Sequence, residues 1–515
     1  MAYERPGVYV QEGTFATNIT TTNGPTSAAF VGTADRGPTT PTLVSSWNQY
    51  TSLFGELSNS FDLGYAVYHY FANGGQTAYV TRVIDSTAVK ASGVLAATPS
   101  GGSSAPLITL MTKSKGSWGN DVTIDYVYDP ETLEDVSTAP KITKNSLFSV
   151  VVKLNSTEVE RWNNLSVDPE NYRYVSTVLD LYSSYVSAST VATIAAGTEL
   201  TVTGVGVDDY ETTVTFSGGS DGSGSINSAS WATALDSYET IASGMLFNLV
   251  GQTSATIINN AITVMEARGN SMLIVDTPLT AISANELTTA VSGYTKSSYA
   301  AVYGPALKMF DPKKTGAAAI RNTYAGGAVL GAMVRSEVAR GIAKAPAGYG
   351  LDIRNVYGLL ATLTEAEQGT VYKNSQINLF TLVPGVGVII NGSRTLARNT
   401  SDKFVTVRRS INYLKDVVKE KTAFAMFEPN DARLWTDISV RLTALLTTFW
   451  ATGGLKGNTA SEAFYVICNS SNNTQSDIED GRVNVSIGVA LQSPAEFVVI
   501  TISQWTGGST VTTNA

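Results

Sequence analysis

The stretch from Trp231 to Tyr303 limits the fold more than any other part of the chain. Helical periodicity and short apolar runs alternate through it. Helices are predicted over 231–241, 254–268 and 285–293, and strands over 246–250, 271–276 and 299–303. A strand that is apolar on both sides must be covered on both faces, and strands linked through helices run parallel. The pattern therefore predicts a mainly parallel α/β sheet. Residues 26–85 carry the same rhythm: a strand over 27–33, the turn Asp35-Arg36-Gly37-Pro38, and a helix capped by Ser46 that carries Trp47, Tyr50 and Phe54. A second helix places Leu63, Val67, Tyr70 and Phe71 on one stripe and stops at Asn73-Gly74-Gly75, before a strand over 77–84.

The two α/β parts are separated by a different texture. Pro99-Ser100-Gly101-Gly102-Ser103-Ser104 and Ser217-Gly218-Gly219-Ser220-Asp221-Gly222-Ser223-Gly224 read as flexible breaks. Between them lie alternating runs over 107–111, 122–128, 147–154 and 202–216, the mark of a β-rich inserted domain. Farther on, Thr323 to Val334 is so rich in Gly and Ala that another backbone must pass close by; that helix is expected to end at Lys344-Ala345-Pro346-Ala347-Gly348. Beyond Gly392, a helix carries Val407, Ile411, Leu414 and Val418 on one stripe, and a strand is expected over 423–427. Asn430 or Asp431 caps a long helix with Leu434, Trp435, Ile438, Leu442, Leu445, Phe449 and Trp450 on its apolar side. Three strands close the chain, over 463–468, 482–490 and 496–502. The last, with Phe497, Val498, Val499, Ile500 and Ile502, is apolar on both faces. At the other end, Pro6-Gly7-Val8-Tyr9-Val10 forms a strand with no partner at hairpin distance. Both terminal strands call for pairing outside their own neighbourhood.

Composition narrows function. Net charge is −9, which disfavours free nucleic-acid binding. Residues 305–344 hold 7 Lys/Arg against 2 Asp/Glu, either a dock for an acidic partner or a solvated helix face. No apolar run approaches the roughly 18–20 residues of a membrane span, and the N-terminus has no signal-peptide pattern. The single cysteine, Cys468, forms no intrachain disulfide and reads as an inert core residue. The single histidine, His69, lies among Tyr65, Tyr68 and Tyr70 and reads as an ordinary partly buried side chain. With one of each, zinc ligation and Ser-His-Asp chemistry lack ligands and supporting motifs, and no phosphate-binding loop occurs. Asp208-Asp209 reads as a solvated cluster, and Gly218-Gly219-Ser220-Asp221-Gly222 lacks the spaced carboxylates of a calcium loop. No cofactor or metal is expected.

Several segments resemble contractile phage tail sheath proteins, the family with a subtilisin-like core. They are Pro6 to Glu12, Ala28 to Gly32 with Asp35 to Pro38, Phe71 to Gly75, and Gly116 to Asn120. Farther along come Ala339 to Gly348 (with Ala343 where the family commonly has tryptophan), Gly392 to Leu396, Phe427 to Trp435, Asp480 to Arg482 and Pro494 to Val498. The resemblance implies an α/β core with a subtilisin-like fold without catalysis, an inserted β-rich domain, an α+β C-terminal domain, and extended N- and C-terminal arms. The boundaries expected are an arm over 1–25, core parts over 26–94 and 226–392, an outward-facing insertion over 95–225, a tube-facing C-terminal domain over 393–503, and a tail over 504–515.

The resemblance further implies a structural subunit, not an enzyme, that stacks as hexameric rings around a tail tube protein. Such a subunit meets baseplate and tail terminator proteins, binds no nucleic acid, does not insert directly into membrane, and is assembled in the host bacterial cytoplasm as part of a virion tail. Residues 6–12 and 496–515 are expected to mesh with neighbouring subunits, and Arg433, Arg441 and Lys456 to face the tube. The alternatives are the sheath of a phage-tail-like injection particle, a cytoplasmic hydrolase on the same fold, or an adhesin acting through residues 95–225.

Overall fold

The computed structural model describes residues 26–99, 102–133, 141–202, 210–222, 224, 226–398, 401–494 and 496. The expected strands 6–12 and 497–502, and the pair Asp208-Asp209, lie outside the described residues.

An eight-stranded sheet organises the core. Its first part supplies β1 (Ser27–Gly32), β2 (Thr42–Val44) and β3 (Ala78–Arg82), with helices α1 (Trp47–Phe54) and α2 (Leu63–Ala72) between β2 and β3. Its second part supplies α3 (Ser228–Asp236), β4 (Met245–Leu249), α4 (Ala255–Arg268), β5 (Met272–Asp276), α5 (Ala284–Ala290), β6 (Ala300–Gly304), α6 (Gly326–Arg340), α7 (Glu365–Ser375), β7 (Ile377–Val383) and β8 (Gly387–Asn391). Strand order is β2-β3-β1-β4-β5-β6-β7-β8. All neighbours are parallel except the two edge strands, which pair antiparallel. The mainly parallel sheet expected from the alternation is present.

The two-residue strand period divides the core between the faces of this sheet. Ala28, Phe30, Leu246, Met272, Ile274 and Tyr303 pack on one side with Tyr50, Val67, Val329 and Met333 of α1, α2 and α6. Ala29, Val31, Phe247, Leu273, Val275 and Val302 pack on the other with Trp231, Ile262, Leu287 and Val371 of α3, α4, α5 and α7. Close approach of α6 to α2 explains the small residues. A Cβ on Gly327 would lie 2.1 Å from the Ala66 carbonyl oxygen, and one on Gly331 would lie 2.3 Å from that of Tyr70. The helix ends at Arg340, four residues before the expected stop, because Gly341 at φ 78° leaves the helix and donates its N–H to the Glu337 carbonyl.

The β-rich region has its own core, drawn from residues between Ala91 and Phe216. A five-stranded sheet and a four-stranded sheet enclose it. The chain enters and leaves through adjacent antiparallel bridges, Val89 with Ser220 and Ser92 with Ser217. Two boundaries change as a result. The break at 99–104 falls between two strands that pair with each other, Ser92–Pro99 and Ala105–Thr112, so it lies inside this unit, and position 95 falls within a strand. Arg36 of the Asp35–Pro38 turn ties the unit to the core: its guanidinium donates to the Tyr185 hydroxyl at 3.0 Å and stacks on that ring.

The C-terminal part comprises α8 (Val405–Thr422), α9 (Ala432–Ala451) and an antiparallel pair, β9 (Phe464–Ile467) and β10 (Ser486–Val489). Asp431 caps α9 by accepting from the N–H groups of Arg433 and Leu434; Asn430 instead accepts from the Trp435 indole. The strand expected over 423–427 is absent. Ala423–Ala425 forms one 3-10 turn between two helices, and among the described residues no strand pairs with it. Position 393 also falls early as a boundary, since Leu396 is fully buried in the core cluster of the parallel sheet.

Candidate subunit interface

The catalytic alternatives are tested first by where their residues lie. His69 is 1% exposed, and neither ring nitrogen has a hydrogen-bond partner. Burial pushes its pKa down to about 4, so it is neutral and has no nucleophile to serve. Cys468 is buried in the α8–α9 cluster, away from the α2 environment of His69. Among the described residues no group of three or more His, Cys, Asp or Glu could hold a metal, and no helix is long and apolar enough to cross a membrane. Asp221 of the glycine-rich segment bonds Ser117 and lies 3.6 Å from Arg82, closing the neck of the inserted unit.

The carboxyl ends of parallel strands are where α/β folds usually bind ligands. Here Asp276 ends β5, fully buried. It accepts from Asn248 at 3.0 Å and from the Gly326 N–H at the start of α6 at 2.6 Å. Burial raises its pKa to about 6 despite those bonds. The position is filled by the protein's own groups.

The basic run over 305–344 is also largely satisfied internally. Arg321 pairs with Asp62, Lys313 with Glu56, Lys314 with Asp311, and Arg335 with Asp352. Arg340 and Lys344 stay exposed at the end of that stretch.

Open surface of another kind occurs in the C-terminal part. Strands β9 and β10 pair only with each other among the described residues. Phe464 and Val466 pack with Ile487 and Val489 over α8 and α9, while Tyr465 and Ile467 stand 49% and 37% exposed on the opposite face. An isolated two-stranded sheet is marginal, and a sheet edge is a place where a further strand can pair. This one is kept in shape from beneath by α9. Asn473 also holds its end, donating to the Asn469 and Asn484 carbonyls and accepting from the Asn484 N–H.

Of the expected tube-facing cations, Arg433 and Arg441 lie on the exposed side of α9, and Lys456 is exposed in the loop beyond it. Arg441 lies 3.8 Å over the Phe424 ring, and the Lys456 N–H donates to the Ala490 carbonyl just past β10. The outer side of α9 is otherwise low in charge. Val440 is 62% exposed, and the hydroxyls of Thr436, Thr447 and Thr448 donate back to carbonyls four residues earlier, which leaves their methyl groups outward. Phe427, 88% exposed at φ 67°, stands before the start of this helix. The strain of that backbone and its aromatic exposure were not legible from periodicity.

The C-terminal part is fastened to the core along α8. Asp416 accepts from the Gly244 N–H and the Asn270 amide, Asn412 donates to the Ser271 carbonyl, and Lys415 donates to the Gly269 carbonyl. A cleft of about 500 Å³ runs between α8 and the amino ends of β1 and β4, with Thr26 and Ser27 in its wall.

Comparison with known proteins places these features. The phage tail sheath C-terminal domain family matches residues 398–504, which takes in α8, α9, β9 and β10. A tail sheath protein of Vibrio phage KVP40 is 27% identical over 158 residues, 30% of this chain and 22% of that one, so the match spans about a fifth of the relative's length. Among solved structures, the sheath of an extracellular contractile injection system in its contracted state aligns over 98% of this chain and 99% of its own, with a TM-score of 0.56 at 18% identity. The sheath tail protein of Listeria innocua aligns over 92% and 96%, with a TM-score of 0.60 at 13% identity. The resemblance to contractile tail sheaths is thus met in the C-terminal domain by sequence and over nearly the whole chain by fold.

Proposed function

From a chain that carries the phage tail sheath C-terminal domain, we propose a structural subunit of a contractile tail sheath. The observation that carries this reading is the match of residues 398–504 to that domain, within which β9 and β10 form a two-stranded sheet. Edge strands of this kind accept strands from other chains by main-chain pairing. The apolar segments Pro6 to Val10 and Phe497 to Ile502 are the strands to be donated, each to a neighbouring subunit. Repetition of one such heterologous contact around and along an axis builds closed rings and helical stacks. Six subunits to a ring around an inner tube is the arrangement proposed, with baseplate and terminator proteins at the ends.

Contraction needs no nucleotide if the contracted lattice has the better interfaces. Even about 1 kcal/mol per subunit, an ordinary effect for one changed contact, sums to a large drive over a long tail. The parallel-sheet core acts as a rigid body without enzymatic activity, and its subtilisin-like fold belongs to the same proposal. The unit between Ala91 and Phe216 faces outward, and α9 with Arg433, Arg441 and Lys456 faces the tube. The subunit is assembled in the host cytoplasm into the tail of a virion or of a related injection particle; a neighbour in fold comes from such a particle.

Negative-stain microscopy of the purified protein tests the reading. Striated tubes are expected, and a variant lacking residues 1–12 should remain folded and dispersed. Tubes of normal length from that variant would sink the strand-donation claim. Dispersed parent protein under every assembly condition would sink the sheath reading itself.

A further inference from the structure

Two ionic clusters hold residues near the two ends of the chain, Thr26 and Glu496. On the amino-terminal side, the Thr26 N–H donates to Glu337 at 3.1 Å, and the Thr26 hydroxyl donates to both oxygens of that carboxylate, at 3.1 and 3.0 Å. Glu337 belongs to α6 in the core. It is also paired with Arg409 of α8, and both charged side chains are only 2% exposed. A carboxylate so enclosed needs its partners, and this one draws them from the residue before the core's first strand and from the C-terminal domain.

On the carboxy-terminal side, Glu496 is the last described residue. Arg394 grips it with two bonds, Nε to Oε1 at 2.8 Å and Nη2 to Oε2 at 2.6 Å. The Tyr372 hydroxyl donates to Oε1 at 2.6 Å, and the Tyr372 ring lies 4.1 Å from the guanidinium. The two charged side chains are 15% and 14% exposed. Burial pushes the Glu496 carboxyl up, but the Arg394 and Tyr372 bonds outweigh it and hold the group ionised. Arg394 and Glu496 are 102 residues apart and lie in the segments Gly392–Leu396 and Pro494–Val498.

We infer that these clusters are anchors: Glu337 with Arg409 holds residue 26, and Arg394 with Tyr372 holds residue 496, against load carried by the terminal segments. The inference rests on the proposed function, in which those segments join neighbouring subunits. A segment that links subunits pulls on the residue from which it departs. Backbone bonds at a strand end would yield one at a time under such a pull. A two-pronged Arg–carboxylate bond resists both sliding and rotation. Because Glu337 holds Thr26 and Arg409 together, a pull on the amino-terminal segment reaches the core and the C-terminal domain as one body. These are positioning residues: they act through the segments they hold.

The test uses the full chain with three variants. Arg394→Lys keeps the charge and removes the fork. Thr26→Pro removes both donors to Glu337 and leaves the Glu337–Arg409 pair in place. The double exchange Arg394→Glu with Glu496→Arg restores an ion pair in reverse. Two readouts are taken: thermal unfolding of the dispersed subunit, and the length and breakage of sheaths before and after contraction. Expected are unfolding midpoints within about 3 °C of the parent, with sheaths from the first two variants several-fold shorter or fragmented on contraction. Sheath length should recover in the double exchange. Sheaths of parental length that survive contraction in both single variants would overturn the inference. So would a sheath defect that merely tracks loss of subunit stability. Failure of the parent to form any sheath would instead remove the proposed function on which the anchors depend.

Discussion

His69 and Asp276 are enclosed in the same core, and burial moves them in opposite directions. The histidine falls from 6.5 to about 4, and the aspartate rises from 3.8 to about 6. A neutral buried histidine contributes stability above its unfolded pKa, and that contribution is lost as pH falls from 6.5 toward 4. A buried carboxyl with a raised pKa is favourable when protonated, so its contribution is lost as pH rises from 3.8 through 6. Each shift corresponds to about 3 kcal/mol. Between pH 4 and 6 the two slopes oppose. Relative to the parent, His69→Phe should therefore gain stability as pH falls from 6.5 to 4, and Asp276→Asn should lose it as pH falls from 6 to 4. Urea midpoints measured at intervals across this range check both. A difference from the parent that does not vary with pH would show that neither group titrates as its burial requires.

At the scale of elements, the contact of α2 with α6 depends on the absence of side chains at two positions. Gly331→Ala would drive a methyl group to within 2.3 Å of the Tyr70 carbonyl oxygen, a backbone atom that cannot turn aside. Separation of the helices should cost about 3 kcal/mol or more, as overpacking of a tight core does, and should appear as a lower unfolding temperature or insoluble protein. Gly369 is the control. It lies in α7, and a methyl group added there would meet nothing within 4 Å, so Gly369→Ala should stabilise by about 1 kcal/mol. The richness in small residues that flagged 323–334 in the sequence is explained by this packing. What the sequence lacked was the identity of the partner, because α2 lies in the other part of the core, across the inserted unit.

The whole molecule offers two further tests. The inserted unit is joined to the core through a neck of paired bridges at Val89–Ser220 and Ser92–Ser217. Replacement of residues 93–216 by a short turn should therefore leave a folded core with its cooperative transition intact, less the stacking of Arg36 on Tyr185. If the unit faces outward, the shortened chain should still form sheaths, thinner in projection. Loss of the cooperative transition would mean that the unit is integral to the core. Reversal of Arg433, Arg441 and Lys456 to Glu should leave subunit folding unchanged, since all three are exposed, but should weaken assembly on an inner tube. Unaltered tube-dependent assembly would remove those cations from the contact.

Most strands and helices, the parallel core and the cap at Ser46 were determined by the sequence itself, because each follows from local periodicity or from one side chain reaching the next turn; the choice of Asp431 over Asn430 as the α9 cap was not. The motif order was enough to point to the sheath family. Tertiary structure decided what local signals cannot carry. The segment 423–427 has strand-like residues, yet among the described residues no strand pairs with it, and pairing is a property of neighbours. The break at 99–104 falls between paired strands inside a unit instead of at its border, since a connection between strands and a boundary look alike in composition. The Glu337–Arg409 and Arg394–Glu496 pairs join residues distant along the chain; a charge on its own discloses only that it needs a partner, and only the fold brings the partner within reach.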